Sequence, residues 1–345
     1  MQSLIHENVK TVFGYPGGSI MPVYDAMYDH RNDFRQVLVR HEQGAAHAAQ
    51  GYARSSGEVG VCIVTSGPGA TNTITGISDA MLDSTPMVVI AGQVASVFLG
   101  TDAFQEVDLV CITQPICKWS YQIRRPEDVA WAVARAFYIA KSGRPGPVVL
   151  DFAKNAQVGM VDYEPCDISV ERGYQPVPET PEEAILQAAE LINKAERPLL
   201  LAGQGIELGN AHEELKAFIE KADIPVGCTL LGLSTLPSAH PLNKGMLGMH
   251  GNLAPNVKTN QCDVLIAVGM RFDDRVTGKL TSYARQAKVI HLDIDTAEIN
   301  KNVPVDVAVP GDCKKTLALL TEAVKPANHK EWIDSFQPYF EKENE

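Results

Sequence analysis

One carboxylate stands at an unusual junction in this chain. Arg40-His41-Glu42 sits directly against Gln43-Gly44-Ala45-Ala46-His47-Ala48-Ala49-Gln50-Gly51-Tyr52-Ala53. Three chemistries suit such a residue: surface charge, a metal ligand, or an acid that handles protons. His41-Glu42 begins like the HExxH metal helix, but that motif needs histidine at position 45, which is Ala45. His47 is six residues from His41, so the two do not share a helical face. Surface charge is the ordinary fate of a lone Glu, and the dipole at a helix start favours one there. Against it, the run of Gly and Ala lets elements pack closely and places the carboxylate in a crowded interior. A buried carboxyl without a cationic partner has its pKa raised and can move protons near neutrality.

Two glycine-containing turns accompany it. Val12–Asp25, VFGYPGGSIMPVYD, runs off a strand through Gly17 and Gly18 into a helix. The pair serves either as a tight turn or as a close approach to a ligand at a strand's carboxyl end. Val64–Thr73, VTSGPGATNT, repeats the layout, and amides at such a helix start can hold an anion. The Lys of a GxxxxGK[ST] loop is missing, which disfavours a nucleoside triphosphate.

The elements that must position these residues alternate. Strands are predicted at Val9–Phe13, Gln36–Val39, Val59–Thr65, Pro86–Ala91 and Pro147–Phe152. Helices are predicted near Ile20–His30, Gln43–Ala53, Ala70–Met81 and Glu127–Lys141. Strand–helix alternation implies a parallel sheet covered on both faces, and runs such as VGVCIVT and PMVVIAG suit strands buried on both sides. Residues 158–182 are rich in Pro and charge and read as a linker. A helix at Pro181–Lys194 and a strand at Pro198–Ala202 resume the alternation. Asn210 with Glu213 resembles a capping box for a helix through Lys221. Strands at Ile224–Leu230, Asp263–Val268 and Val289–Asp293 and a helix at Cys313–Val324 complete it. The fold class is therefore α/β, with two doubly wound domains of mostly parallel strands. The expected division is 1–160, a linker 161–180, 181–330, and a final segment 331–345.

The 345 residues suffice for about two domains. A net charge of −12 argues against a nucleic-acid or anionic-membrane partner. No apolar run approaches the roughly 20 residues of a membrane helix, and the start has no signal-peptide layout. Seven scattered cysteines without a CxxC read as reduced, mostly buried thiols of a cytoplasmic protein.

VFGYPGG, RHEQGAAHAAQGYARSSG, TSGPGATNTITGISDA and GTDAFQE, in this order, resemble the pyrimidine-binding domain of thiamine-diphosphate enzymes. LLGLSTLPSAHP, GMLGMHG, MRFDDRVTG and HLDID resemble the central FAD-binding domain of one family among them, the acetohydroxyacid (acetolactate) synthase large catalytic subunits. The resemblance covers essentially the whole chain. It implies that Glu42 hydrogen-bonds the aminopyrimidine ring nitrogen of thiamine diphosphate and favours the imino form. That form takes the C2 proton to leave a carbanion, the cofactor's electron sink. Tyr15, Gly17 and Gly18 resemble the turn against the cofactor's reacting end, and Pro68 and Asn72 the aminopyrimidine wall. Gln105 resembles a catalytic side chain contacting the intermediate, and Phe104 and Lys154 line the same substrate pocket. For Lys154 a surface lysine is the plain alternative. Arg144 resembles a flavin contact. Gly203 and Gly205, in a loose dinucleotide-loop pattern, join His250, Gly251, Arg271, Asp293, Asp295, Gly311 and Asp312 as FAD-contacting positions. Arg275 resembles the arginine that helps bind the second 2-ketoacid. Asp273 and Asp274 could simply pair with the neighbouring arginines, and a histidine such as His250 is by itself more often a satisfied core residue.

The sequence departs from that family at both ends: MQSLIHENV resembles only the later part of the family's first helix, and the diphosphate-binding motif is missing. The diphosphate is held there through Mg²⁺ by a GDG motif followed by Asn-Asn, and the nearest candidate, Gly311-Asp312-Cys313, lacks the asparagine pair. The expectation is a piece of a longer polypeptide that binds Mg²⁺ through an absent C-terminal domain and is inactive alone, residues 331–345 beginning the link to that domain. The complete enzyme would decarboxylate pyruvate and join it to pyruvate or 2-ketobutyrate, in the first common step of branched-chain amino-acid synthesis. The resemblance also implies a homodimer or tetramer and leaves a regulatory subunit open. The alternatives are another thiamine-dependent decarboxylase or carboligase, and a non-catalytic FAD-binding module.

Overall fold

The computed structural model describes residues 1–345, the side chain of Asn344 excepted. The chain forms two compact units, Met1–Pro176 and Val177–Glu345. Each is an α/β layer structure around one six-stranded parallel sheet.

The strands of the first unit are β1 (Thr11–Gly14), β2 (Arg35–Leu38), β3 (Gly60–Val64), β4 (Met87–Gln93), β5 (Trp119–Ile123) and β6 (Pro147–Ala153). Their order is β2-β1-β3-β4-β6-β5. The central strands β3 and β4 are buried along their whole length, which is why β3, and β4 as far as Ala91, read as apolar runs. Helices Glu42–Ser56 and Ile74–Leu82 pack on one face through Ala45, Ala46, Ala49, Ile77 and Ala80. Helix Val129–Lys141 covers the other through Val133, Ala136, Phe137 and Ala140. The chain leaves β1 to the β2 side and returns on the β3 side. The sheet therefore reverses direction between β1 and β3, and the crevice lies outside their carboxyl ends.

The second unit has β7 (Pro198–Ala202), β8 (Val226–Cys228), β9 (Asn243–Met246), β10 (Val264–Val268), β11 (Lys288–Asp293) and β12 (Val307–Pro310), in the order β12-β11-β10-β7-β8-β9. Its reversal lies between β7 and β10. Helices Glu182–Lys194, His212–Ala222 and Cys313–Ala323 cover one face. On the other, Trp332 and Phe336 sit in a cluster with Leu199, Leu201, Leu265 and Phe272. The segment 331–345 thus contributes to helices Lys330–Asp334 and Gln337–Asn344 and buries aromatic anchors in this unit. The Trp332 indole donates to the Pro198 carbonyl at 2.8 Å.

Several local expectations need correction. Three of the four edge strands, β5, β9 and β12, are invisible in the sequence reading. β5 (WSYQI) is half exposed and interrupts its apolar residues with Ser and Gln, and β12 (VAVP) is only four residues long and ends in a proline. In β9 the pairing with β8 is irregular and Gly245 has φ +88°. The predicted strand Ile224–Leu230 shortens to Val226–Cys228, because Thr229 caps a 3₁₀ turn at Leu230–Gly232. The Asn210–Glu213 capping box does not form. Asn210 has φ +47°, the helix begins at His212, and no side chain caps it. The helix Ala70–Met81 is two pieces, Pro68–Thr71 and Ile74–Leu82, with Asn72 and Thr73 between them. The Thr73 hydroxyl bonds the Ala70 carbonyl at 2.6 Å, a local bond that competes with a continuous helix. Among the described residues, no helix is long and apolar enough to cross a membrane.

Candidate functional site

Glu42 is the first residue of helix Glu42–Ser56 and is only 8% exposed, as the small residues around it predict. The ring of His41 is spent on the helix cap, its Nδ1 accepting from the Gln43 amide at 3.2 Å. Across the crevice, the break between the two short helices frees the Asn72 amide, which donates to Glu42 Oε2 at 2.9 Å. Oε1 faces Gly69, where a Cβ would stand 3.3 Å away. One carboxylate oxygen is thus fixed by Asn72, and the other lies beside Gly69, whose added Cβ would also meet the Thr65 methyl at 2.6 Å. Burial raises the pKa of the Tyr24 phenol, with the Cys62 and Glu42 charges adding to it. Tyr24 stays a hydrogen-bond donor, to the Ile63 carbonyl at 2.8 Å.

The two predicted turns meet at the β1–β3 reversal. Thr65 and Ser66 leave β3 and hold Ser19 of the other turn: Ser19 N donates to Thr65 Oγ1 at 3.3 Å, and Ser66 Oγ to Ser19 Oγ at 2.9 Å. Tyr15 is partly exposed and its amide bonds the Ile63 carbonyl at 3.2 Å. Gly17 packs on Thr65, where a Cβ would overlap at 2.6 Å. Lys154 is exposed at the end of β6, yet its Nζ lies 3.3 Å from the Gly18 carbonyl. Pro68 opens the Pro68–Thr71 helix.

Gln105 lies on a loop at the same end of the sheet. Its backbone crosses Gly67, at φ +56° and ψ −120°, so closely that a Cβ there would fall 2.6 Å from the Gln105 carbonyl oxygen. Gln105 itself has φ +59°. Phe104 beside it is 87% exposed. Sequence reasoning overlooked the residue that shapes this loop. The Glu106 carboxylate accepts from the amides of Gly100, Thr101 and Ala103, and these bonds hold its pKa below the usual range. Its only signal is the acid closing GTDAFQE. The structure therefore brings Glu42, Asn72, Pro68, Gly17, Gly18, Lys154, Tyr15 and Gln105 to the carboxyl ends of one sheet. Arg144 belongs to the same unit, where its Nε donates to Ser84 Oγ at 2.8 Å.

In the second unit the predicted positions also gather at strand ends. Gly203 and Gly205 follow β7 and pack directly on Gly269 after β10, at the reversal point. A Cβ on Gly205 would lie 2.6 Å from the Gly269 Cα, and Gly269 has φ +59°. Asp293 ends β11 and is buried, its Oδ1 accepting the Asp295 amide at 2.8 Å. Gly311 follows β12, its amide bonding the Asp293 carbonyl at 3.0 Å. Asp312 caps helix Cys313–Ala323, accepting from Lys315 N at 3.1 Å. Arg271 lies 3.4 Å from Asp273, which itself caps a short helix at Val276, and Arg275 lies 3.9 Å from Asp274. The Arg275 carbonyl accepts the Met249 amide at 2.7 Å, tying it to the loop that carries His250 and Gly251. His250 is exposed, not a core residue.

Comparison with known proteins gives this geometry a context. Residues 1–112 match the family model described as thiamine pyrophosphate enzyme, N-terminal TPP binding domain, and residues 185–320 that of the central domain. The chain is similar to the acetolactate synthase large subunit of Corynebacterium glutamicum, 49% identical over 340 residues, 97% of this chain and 54% of that protein. It is similar to the acetolactate synthase isozyme 2 large subunit of Escherichia coli, 48% identical over 332 residues, 96% of this chain and 59% of that protein. The large subunit of Pyropia yezoensis is 45% identical over 344 residues, covering 98% and 57%. The chain spans about half the length of the curated relatives it matches.

Proposed function

The chain belongs to the thiamine pyrophosphate enzymes and is homologous to their acetolactate synthase large subunits, and from that premise we propose that it is the N-terminal and central part of one. The observation that carries the reading is the buried Glu42 carboxylate, with Oε2 tied to Asn72 and Oε1 beside Gly69. That arrangement fits an aminopyrimidine edge, since a ring nitrogen needs one carboxyl oxygen at hydrogen-bond distance and no side chain in between. Thiamine diphosphate, when bound, supplies the electron sink for decarboxylating a 2-ketoacid.

The chain's own residues do the rest. Glu42 holds or gives a proton at Oε1, Asn72 keeps the carboxylate from turning, and the Pro68 and Gly17 turns close the crevice. Gln105, Phe104 and Lys154 line the side from which pyruvate, and then pyruvate or 2-ketobutyrate, approaches. No residue of this chain is assigned to Mg²⁺ or to the diphosphate. In the second unit the reversal point between β7 and β10 is where open α/β sheets take dinucleotides. FAD is assigned there, with Gly203, Gly205, His250, Gly251, Arg271, Asp293, Asp295, Gly311 and Asp312 around it. Arg275 is assigned to the second 2-ketoacid. Self-association and a regulatory subunit are part of the same reading.

The test is Glu42→Gln in the full-length polypeptide carrying this chain. Gln keeps the shape and removes the proton-handling oxygen. Acetolactate formation from pyruvate should fall by about 10²-fold or more, with unchanged circular dichroism. Wild-type activity in the variant rules out the acid role.

A further inference from the structure

Asp151 is a buried carboxyl that nothing above employs. It lies on β6, is 0% exposed, and both of its amide partners use one oxygen. Gln122 Nε2 donates to Oδ2 at 2.6 Å and Gln93 Nε2 at 3.3 Å. Oδ1 is buried with no hydrogen-bond partner. Gln93, 1% exposed, has a second engagement. Its Nε2 also donates to the Val107 carbonyl at 2.9 Å, while its Oε1 accepts the Val94 amide at 2.9 Å. Val107 lies two residues beyond Gln105, and its carbonyl also receives the Leu109 amide at 2.9 Å.

The Gln105 segment is thus seated at three points. Gly67 supports it from below, Glu106 closes its upstream loop, and Gln93 holds its downstream end. We propose that Asp151 is a positioning residue: through Gln93 it seats the segment that carries Gln105, and its protonation state sets how firmly. The inference rests on the reading of Gln105 as a residue of the proposed site.

The direction follows from the surroundings. The charged groups facing Asp151 are Asp108, which caps helix Leu109–Thr113, and Arg124 just past β5; Gln93 and Gln122 complete the shell and are neutral. Burial pushes the Asp151 carboxyl up to about 6, the Asp108 charge adds to this, and the two amides and Arg124 oppose it. Ionisation therefore puts a charge under the segment with one oxygen unpaired, and favours the opened, hydrated arrangement. The protonated form seats the segment; the ionised form loosens it.

Hydrogen exchange of the 345-residue chain reads this directly, through the amides of Glu106, Leu109 and Ile112, which bond Ala103, Val107 and Asp108 carbonyls. After correction for intrinsic rates, their protection should fall about tenfold from pH 5 to pH 7, if opening returns the carboxyl to its aqueous pKa. Asp151→Asn, neutral and of the same shape, should keep the acid-side protection at both pH values. Gln93→Met, which leaves Asp151 in place, should lower protection at both and abolish the pH dependence. Protection independent of pH in the wild type, or a fall that persists in Asp151→Asn or in Gln93→Met, overturns the proposal. If Asp151→Asn does not fold, the wild type and Gln93→Met decide the matter. No cofactor or substrate enters the measurement, so it fails or succeeds apart from the Glu42 test.

Discussion

A single methyl group, added at two glycines of the same unit, should act in opposite directions. Gly67 holds φ +56° and ψ −120°, a region that costs an L-residue about 1–3 kcal/mol. Its Cβ would also fall 2.6 Å from the Gln105 carbonyl oxygen and 2.9 Å from the Gln105 Cα. Both are backbone atoms, so the loop itself must move, at about 1–3 kcal/mol for an overpacked site. Gly67→Ala should therefore cost about 2–6 kcal/mol, or roughly 4–24 °C at ~2–4 °C per kcal/mol for a unit of this size. Gly44 lies inside helix Glu42–Ser56 with nothing within 4 Å of its added Cβ. Gly44→Ala should gain about 0.5–1 kcal/mol, or roughly 1–4 °C. Thermal melts followed by tryptophan fluorescence in a Trp332→Phe background isolate the first unit, because Trp119 and Trp131 are then the remaining indoles. A Gly67→Ala midpoint within about 1 °C of its parent, or both variants moving the same way, would show that the close approach of Gly67 to Gln105 is misread.

Two further outcomes are expected. Asp312→Ala removes the Oδ1 cap on the Lys315 amide and should destabilise the second unit by about 1 kcal/mol, measured as a lower guanidinium midpoint at unchanged slope; no change would assign that cap to solvent. The 345-residue chain should take up FAD, seen as quenched and anisotropic flavin fluorescence, and Gly205→Val should reduce uptake by forcing a side chain onto Gly269. Equal uptake by wild type and variant would move the flavin away from the β7–β10 reversal.

Much of this protein is determined by sequence alone, for reasons that are local. Strands β3, β7 and β10, and β4 as far as Ala91, are buried on both faces and apolar, and a run of four or five such residues between turns is legible without a structure. Glu42 stands out because helix packing against the sheet demands Ala45, Ala46 and Ala49 around it. Edge strands β5 and β9 leave a weaker mark, since one side of each is free to be polar, and β12 is only four residues long and ends in a proline. What only the tertiary structure decided is which distant groups meet. The bond from Asn72 to Glu42 spans 30 residues, the seat of Gln105 on Gly67 depends on two loops crossing, and Gln93, Gln122 and Asp151 come together from three strands. None of these follows from spacing along the chain. They arise from the order in which parallel strands assemble, which brings the carboxyl ends of separate segments to one edge of the sheet.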